Sequence, residues 1–385
     1  MEEVFVKSRR RSLLEHFSEV TDDREPCKVM YPLSEILLLV VCATIADCDD
    51  YDEIADWGEA HIEFLRRFLP YHWGIPCEDW LRKVMNRLDP GLFSACFTDW
   101  AMELRPDAPD LVAIDGKTSR RSHDRRSGKK ALHLVSAWAC RERLVLGQEA
   151  VYEKSNEITA IPELLERLAI KGSLVTIDAI ACNPTIADKI LDAGANYLLA
   201  VKDNQPTLRS EIESYFETAP AAEIDTFTDI DKDHGRVETR RHVVSRSIDW
   251  MAGDRRFPGE ARFKGLAAIG MVESIVERAG HVSTDRRFYI SSEAFDAARF
   301  AVAVRAHWGI ENRLHWVLDV QFREDLSRLR AGHGAKNMAV VRHFAINLVR
   351  NAKDKRSIKT RRKRAGWDPE YLQSLIQVAP TLRNC

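Results

Sequence analysis

Apolar positions along the first hundred residues recur at helical spacing, broken by Asp, Pro and Gly. They predict helices over Ser12–Phe17, Pro32–Ala46, Tyr51–Phe68, Glu78–Leu88 and Pro90–Met102. Pro90 stands at a first helical position behind Asp89 as cap. From Asp110 the pattern shortens to β runs. Leu111–Asp115, Leu132–Cys140 and Leu144–Tyr152 follow closely enough for an antiparallel meander. A helix over Ile158–Leu168, with Pro162 near its first turn, leads to a strand Leu174–Asp178. The helix Pro184–Ala193 stops at Gly194 and the strand Tyr197–Lys202 follows.

Three strands, helix, strand, helix, strand is the order of a ribonuclease-H-like core, an α/β fold whose mixed sheet is flanked by helices. Asp115 and Asp178 then fall at strand C-terminal ends, the edge where open α/β sheets place their sites. Alternating runs at Arg241–Ile248, Leu266–Glu277 and Arg287–Ser291 predict an inserted β-rich subdomain. Helix resumes near Phe295, runs past Glu311 to Asp319, and returns over Gly334–Asn351. The division expected is an all-helical N-terminal domain over 1–105 and a catalytic core over 106–205 and 293–352. A β-rich insertion would occupy 206–292, and a basic C-terminal tail 353–385.

Composition adds limits. Across 385 residues, 45% are hydrophobic and 30% charged, ordinary for a globular protein with room for two or three domains. The formal net charge of −2 means that nucleic-acid binding would have to come from local basic patches. Eight scattered cysteines without a CxxC pair suit reduced thiols better than disulfides or zinc. The apolar run Leu33–Ala46 contains Glu35 and is too short to span a bilayer. No secretory signal opens the chain. The expectation is a soluble, cytoplasmic protein with no membrane partner.

Three acids carry the candidate chemistry. Asp115 closes the run Leu111–Ile114, Asp178 closes Leu174–Ile177, and Glu311 sits in the downstream helix among Trp308, Ile310 and Leu314. A single Asp after an apolar run is usually just the start of a turn. Two on neighbouring strands, with a carboxylate that is expensive to bury without a cation, point instead to hard oxygen ligands for two divalent ions. Such a site suits in-line phosphoryl transfer, and the expectation is an enzyme that cuts and joins DNA. Asp188, Asp192 and Asp203 fall on a helix surface or in a turn. His307, Glu311, His315 and Asp319, four apart, share one helix face. That spacing also admits zinc or a merely solvated face.

Basic residues cluster at Arg120, Arg121, Arg125, Arg126, Lys129 and Lys130, again at His234, Arg236, Arg240 and Arg241, and in 350–364, where nine of fifteen residues are Lys or Arg. Charge runs are commonly solvated faces, but three of them, one beside the acids, fit phosphate contacts. The last is expected to order only on DNA.

The motifs resemble those of bacterial insertion-sequence transposases of the DDE superfamily, in the ISAs-type group that includes the H-repeat-associated proteins. The resemblance rests on Leu14-Glu-His-Phe17, Tyr31-Pro-Leu-Ser-Glu-Ile-Leu37, Gly74-Ile-Pro76, Ala113-Ile-Asp-Gly-Lys-Thr118 and Arg120-Arg-Ser-His123. It continues through Ile177-Asp-Ala179, Asn196–Gln205, His234-Gly-Arg236, His307-Trp-Gly-Ile-Glu-Asn312, Leu314-His-Trp316 and Leu318-Asp-Val320. It implies a ribonuclease-H-like domain with Asp115, Asp178 and Glu311 as catalytic, metal-binding triad for two Mg²⁺ (or Mn²⁺) ions. The partner implied is double-stranded DNA, the element's terminal inverted repeats and a target. A dimer in the synaptic complex and nucleoid association go with it. Lys117, His123, Lys202 and His234 are expected near phosphates. Related families carry a Tyr, Arg, Glu, Lys signature; here Val304, His307 and Leu318 occupy three of its positions. Arg305, Arg313 and Arg323 are candidates to replace it. Cys77-Glu-Asp-Trp80 also departs from the pattern. A nuclease without strand transfer and a decayed DNA-binding relic stay open beside the transposase.

Overall fold

The computed structural model describes residues 11–104, 110–123, 128, 130–151, 157–233, 236–252, 262–278 and 281–377. Nine strands form one mixed sheet in the order β3-β2-β1-β4-β5-β9-β8-β7-β6. β1 (Leu111–Ser119), β2 (Leu132–Ala139) and β3 (Leu144–Val151) are antiparallel. β4 (Leu174–Ile177) and β5 (Asn196–Val201) join parallel to β1. β4 is a run of four buried apolar or β-branched residues, as a strand covered on both faces must be.

The strands expected of an inserted subdomain do not form a separate sheet. β9 (His281–Ser291) pairs antiparallel with β5 through Leu198–Val201, and β8 (Ala268–Arg278), β7 (Arg236–Ser245) and β6 (Asp225–Asp233) continue the ladder outward. Within this stretch β6, a helix over Pro206–Thr218 and a short helix α10 (Asp249–Ala252) were not anticipated.

Side-chain alternation sorts β1 onto two faces. Val112 and Ile114 pack with α7 (Glu157–Glu166), α8 (Pro184–Asp192) and α9 (Pro206–Thr218). Leu111 and Ala113 face the other way, toward α11 (Ala297–Ile310) and α13 (Gly334–Arg350). Asp115 shares that second face.

The N-terminal helices are α1 (Leu13–Glu19), α2 (Leu33–Ile45), α3 (Tyr51–Ala60), α4 (Ile62–Leu65), α5 (Glu78–Arg87) and α6 (Pro90–Glu103). The single helix expected over Tyr51–Phe68 is broken at His61, whose φ of −119° leaves the helical region. Asp89 caps α6, its Oδ1 accepting from the Leu92 N–H at 2.9 Å. The α2 run is buried, and Glu35 within it accepts from the Tyr71 N–H at 2.8 Å. No helix among the described residues is long and apolar enough to cross a membrane.

These helices close around α13, from the far end of the chain. Phe344 meets Phe17, Phe93, Phe97 and Trp100 at centroid distances of 5.3, 5.7, 4.9 and 4.9 Å. Asn347 hydrogen-bonds both backbone groups of Val145 on β3, each at 2.9 Å. One core therefore joins the first hundred residues, α13 and the sheet.

The basic segment is no free tail. α14 (Ile358–Trp367) and α15 (Pro369–Ile376) bury Ala365, Leu372, Leu375 and Ile376 in that same core. Arg362 is 1% exposed, pairs with Asp47 at 2.9 Å and lies 4.1 Å over the Phe322 ring. Arg361 pairs with Asp354 at 2.9 Å. Several charges that look free in the sequence hold the chain's own helices in place.

Candidate active site

Register brings the two aspartates together. Ile114 pairs with Ile177 across parallel β1 and β4, so the next residues, Asp115 and Asp178, leave the pair side by side. Asp178 follows the last residue of β4, as expected. Asp115 does not end its strand: β1 runs four residues further, paired with β2 alone. Both aspartates keep the parity of Ala113 and Thr176, and so face α11.

The third acid arrives from α11. That helix widens into a π turn over Glu311–His315, closed by the Trp316 N–H on the Glu311 carbonyl, before α12 (Trp316–Gln321) resumes. Asp115, Asp178 and Glu311 line a single cavity of about 450 Å³ with Lys202, His307 and Trp308. Lys202 Nζ is 3.2 Å from Asp178. His307 Nδ1 is 2.9 Å from the Thr176 hydroxyl. His315 Nδ1 stands 3.3 Å from Glu311 Oε2 and 3.6 Å from Asp115 Oδ2.

Burial pushes the Asp115 carboxyl up to about 6; Glu311 adds to this while His315 opposes it. A hydrogen bond from His315 holds Glu311 below its ordinary value. At Asp178 burial acts upward, but the Ala179 amide and Lys202 outweigh it and the group is lowered. Burial drops His307 to about 4, so it is a neutral ring at physiological pH.

The donor set fits a divalent cation. One ligand atom each from Asp115, Glu311 and His315 lie within 4.8 Å of one another, and a crowded, half-desolvated carboxylate pair is what a cation relieves. Asp178 lines the same cavity outside that trio, on Lys202.

The remaining candidates divide. Lys117 is engaged within the protein. It is 8% exposed and pairs with Asp319 at 2.7 Å, Glu324 at 2.9 Å and Asp325 at 3.5 Å. Asp319 thus leaves the face shared by His307, Glu311 and His315. Arg120 is exposed with its Nε 3.3 Å from Asp325, Arg121 is exposed, and His123 Nδ1 lies 2.9 Å from the Arg120 carbonyl. Arg125, Arg126, Lys129 and His234 lie outside the described residues.

Arg236, Arg305 and Arg313 come together in a second cavity of about 840 Å³ between α11 and strands β7–β9. It shares Asp285, Arg287, Tyr289, Val304 and Trp308 with the acid cavity, so the two form one trough. Arg236 pairs with Glu238, and Arg305 with Asp231 at 3.3 Å. Arg287, not singled out in the sequence, lies 5.0 Å over Trp308 at the junction. Arg323 lines neither cavity and binds Asp49 at 2.5 Å. His315, which the sequence offers only as part of a four-apart spacing that admits zinc, stands beside Asp115 and Glu311.

The family model described as "Transposase DDE domain" matches residues 106–348, and "DDE_Tnp_1-associated" matches residues 14–101. The Escherichia coli K12 protein named "H repeat-associated putative transposase YhhI" is 39% identical over 370 residues, covering 95% of this chain and 98% of its own. "Putative transposase YncI" of E. coli O157:H7 is 40% identical, covering 95% and 94%. Among solved structures, a piggyBac transposase synaptic complex with hairpin DNA aligns at 11% identity and a TM-score of 0.44, over 96% of this chain and 78% of that one. On the family model and these full-length relatives, the chain belongs to the DDE transposase family.

Proposed function

We propose that this transposase cleaves and joins the ends of its own insertion element by metal-dependent phosphoryl transfer, with Asp115, Asp178 and Glu311 as the catalytic acids. The observation that carries this is their placement. Three carboxylates from β1, the end of β4 and the α11 π turn line one cavity that opens into an arginine-lined trough. We read β1–β5, in the order β3-β2-β1-β4-β5, as a ribonuclease-H-like core.

Asp115, Glu311 and Asp178 are the residues that would hold Mg²⁺ or Mn²⁺. Divalent ions there supply charge neutralisation at the attacking and leaving oxygens. The chain's own part is positioning. Lys202 stands at the cavity with its ammonium paired to Asp178 at 3.2 Å; a cation on Asp178 would release it to a phosphate oxygen. Neutral His307 is fixed by Thr176 and keeps a second positive charge away from the acids. Arg236, Arg305, Arg313 and Arg287 track the backbone of a DNA strand leading to the acids, without reading its sequence. Two copies, one on each element end, would make the synaptic complex on nucleoid DNA.

The test is cleavage of a labelled duplex carrying the DNA that flanks the coding sequence, in Mg²⁺ or Mn²⁺, by wild type and Glu311→Ala. Metal-dependent nicking that the substitution abolishes supports the assignment. Adding target DNA then separates a transposase, which joins the 3′ end, from a nuclease, which does not. Binding without cleavage by the wild type would overturn the proposal in favour of a DNA-binding relic.

A further inference from the structure

His315 lies at the end of the π turn, four residues past Glu311, and is 4% exposed. A histidine so buried normally has a hydrogen-bond partner on each ring nitrogen. Here Nδ1 faces two carboxylates at once, Glu311 at 3.3 Å and Asp115 at 3.6 Å. Nε2 is buried with no partner among the described residues. The nearby ammonium groups are committed elsewhere: Lys117 to Asp319, Glu324 and Asp325, Lys202 to Asp178. The ring thus points a nitrogen, rather than an apolar edge, into the space that the two carboxylate oxygens share. All three ligand atoms fit within 4.8 Å, a span that one first-row cation bridges.

We propose that His315 is a nitrogen donor to a divalent cation held between Asp115 and Glu311, so that this cation has a mixed nitrogen and oxygen donor set. The proposal rests on the metal-site reading above. It goes beyond the three acids: one of the ions is chosen partly by an imidazole, which suits Mn²⁺ and later first-row ions better than Mg²⁺. A ring that merely braced the carboxylates by hydrogen bonding would impose no such preference. His307 supplies the internal contrast. It too is on the cavity wall, but its Nδ1 bonds the Thr176 hydroxyl, whereas the Nδ1 of His315 bonds a carboxylate, where a cation would take the place of the shared proton.

Pulsed electron paramagnetic resonance of Mn²⁺ bound to the full-length protein tests this directly. Wild type is expected to show hyperfine coupling to a directly bound nitrogen, and selective ¹⁵N-histidine labelling should change its pattern. That measurement needs no variant and survives any folding defect. The coupling should persist in His307→Gln and vanish in His315→Ala. Loss of the ring should weaken Mn²⁺ binding about 10- to 100-fold, with a smaller change for Mg²⁺. Bound Mn²⁺ without nitrogen coupling, or coupling that survives His315→Ala and disappears in His307→Gln, overturns the nitrogen-donor role and leaves the metal site standing. Failure of the wild type to bind Mn²⁺ at all overturns both.

Discussion

At the scale of single residues, the acid cavity is built against stability. Asp115 titrates near 6 because burial and Glu311 disfavour its charge. Its folded pKa is raised above the unfolded carboxylate value, so the native state binds more protons between the two. In the metal-free protein its contribution is fully present below pH about 4 and is lost as pH rises through 6. The cost at pH 8 is on the order of 1–3 kcal/mol. Asp115→Asn is therefore expected to abolish cleavage yet raise the melting temperature of the metal-free protein at pH 8. A lowered melting temperature in calorimetry would contradict the electrostatic account. Cation binding at pH 5.5 should displace about one proton, seen as a dependence of the calorimetric heat on buffer ionisation enthalpy.

Asp115 and Asp178 were legible in the sequence because each follows an apolar run that had to be a strand. The ion pairs of Lys117 were not legible, for an equally plain reason. The lysine stands two residues from Asp115, while the acids that claim it lie about two hundred residues away, and sequence proximity cannot report them. His315 was visible only as an i+4 spacing, which most helices display without consequence.

Among elements, the junction of β1 with the segment after α12 bears most on the site. Lys117 on β1 meets Asp319, Glu324 and Asp325, and Arg342 on α13 stands 3.6 Å from Glu324. Glu324 is 1% exposed and is held ionised, down to about 2, because Lys117 and Arg342 outweigh the effect of burial. Removing one partner of such a pair leaves a buried charge uncompensated. Lys117→Met should cost about 3–5 kcal/mol in denaturant unfolding. The salt dependence of DNA binding should stay unchanged. A shallower salt slope would restore Lys117 as a phosphate contact.

Most helices and central strands were legible from periodicity, and the exceptions have physical causes. β6 carries Asp225, Asp229, Asp231 and Asp233, an edge-strand composition that suppresses any strand signal. α14 buries Arg361, Arg362 and Ala365, so its inward face reads as a charge run rather than an apolar stripe. The π turn leaves no trace in composition or spacing.

For the whole molecule, one sheet and a core shared by the N-terminal helices, α13 and the C-terminal helices make the chain harder to divide than its sequence suggests. Deleting 353–385 removes Ala365, Leu372, Leu375 and Ile376 from the core and Arg362 from Asp47. The shortened protein is expected to bind a hydrophobic dye and to be digested rapidly by protease. A stable, monodisperse product would restore the segment as a detachable tail. The trough makes the opposite kind of prediction. Arg313→Ala touches no core contact, and should weaken binding similarly for all DNA sequences while lowering the salt slope by about 1.

The reach of α13 has a consequence in time. Its Phe344 packs among Phe17, Phe93, Phe97 and Trp100, a set of rings that ends at α6, so the N-terminal helices emerge from the ribosome without that central side chain. At synthesis rates of about 5–20 residues per second, the roughly 240 residues between them take roughly 12–50 seconds to make. Over that interval the nascent helices hold an open apolar groove, which a chaperone can occupy and a protease can find. A ribosome that stops short of α13 releases a fragment with its N-terminal core still open, so premature termination is expected to yield degradation rather than a folded competitor of the finished protein.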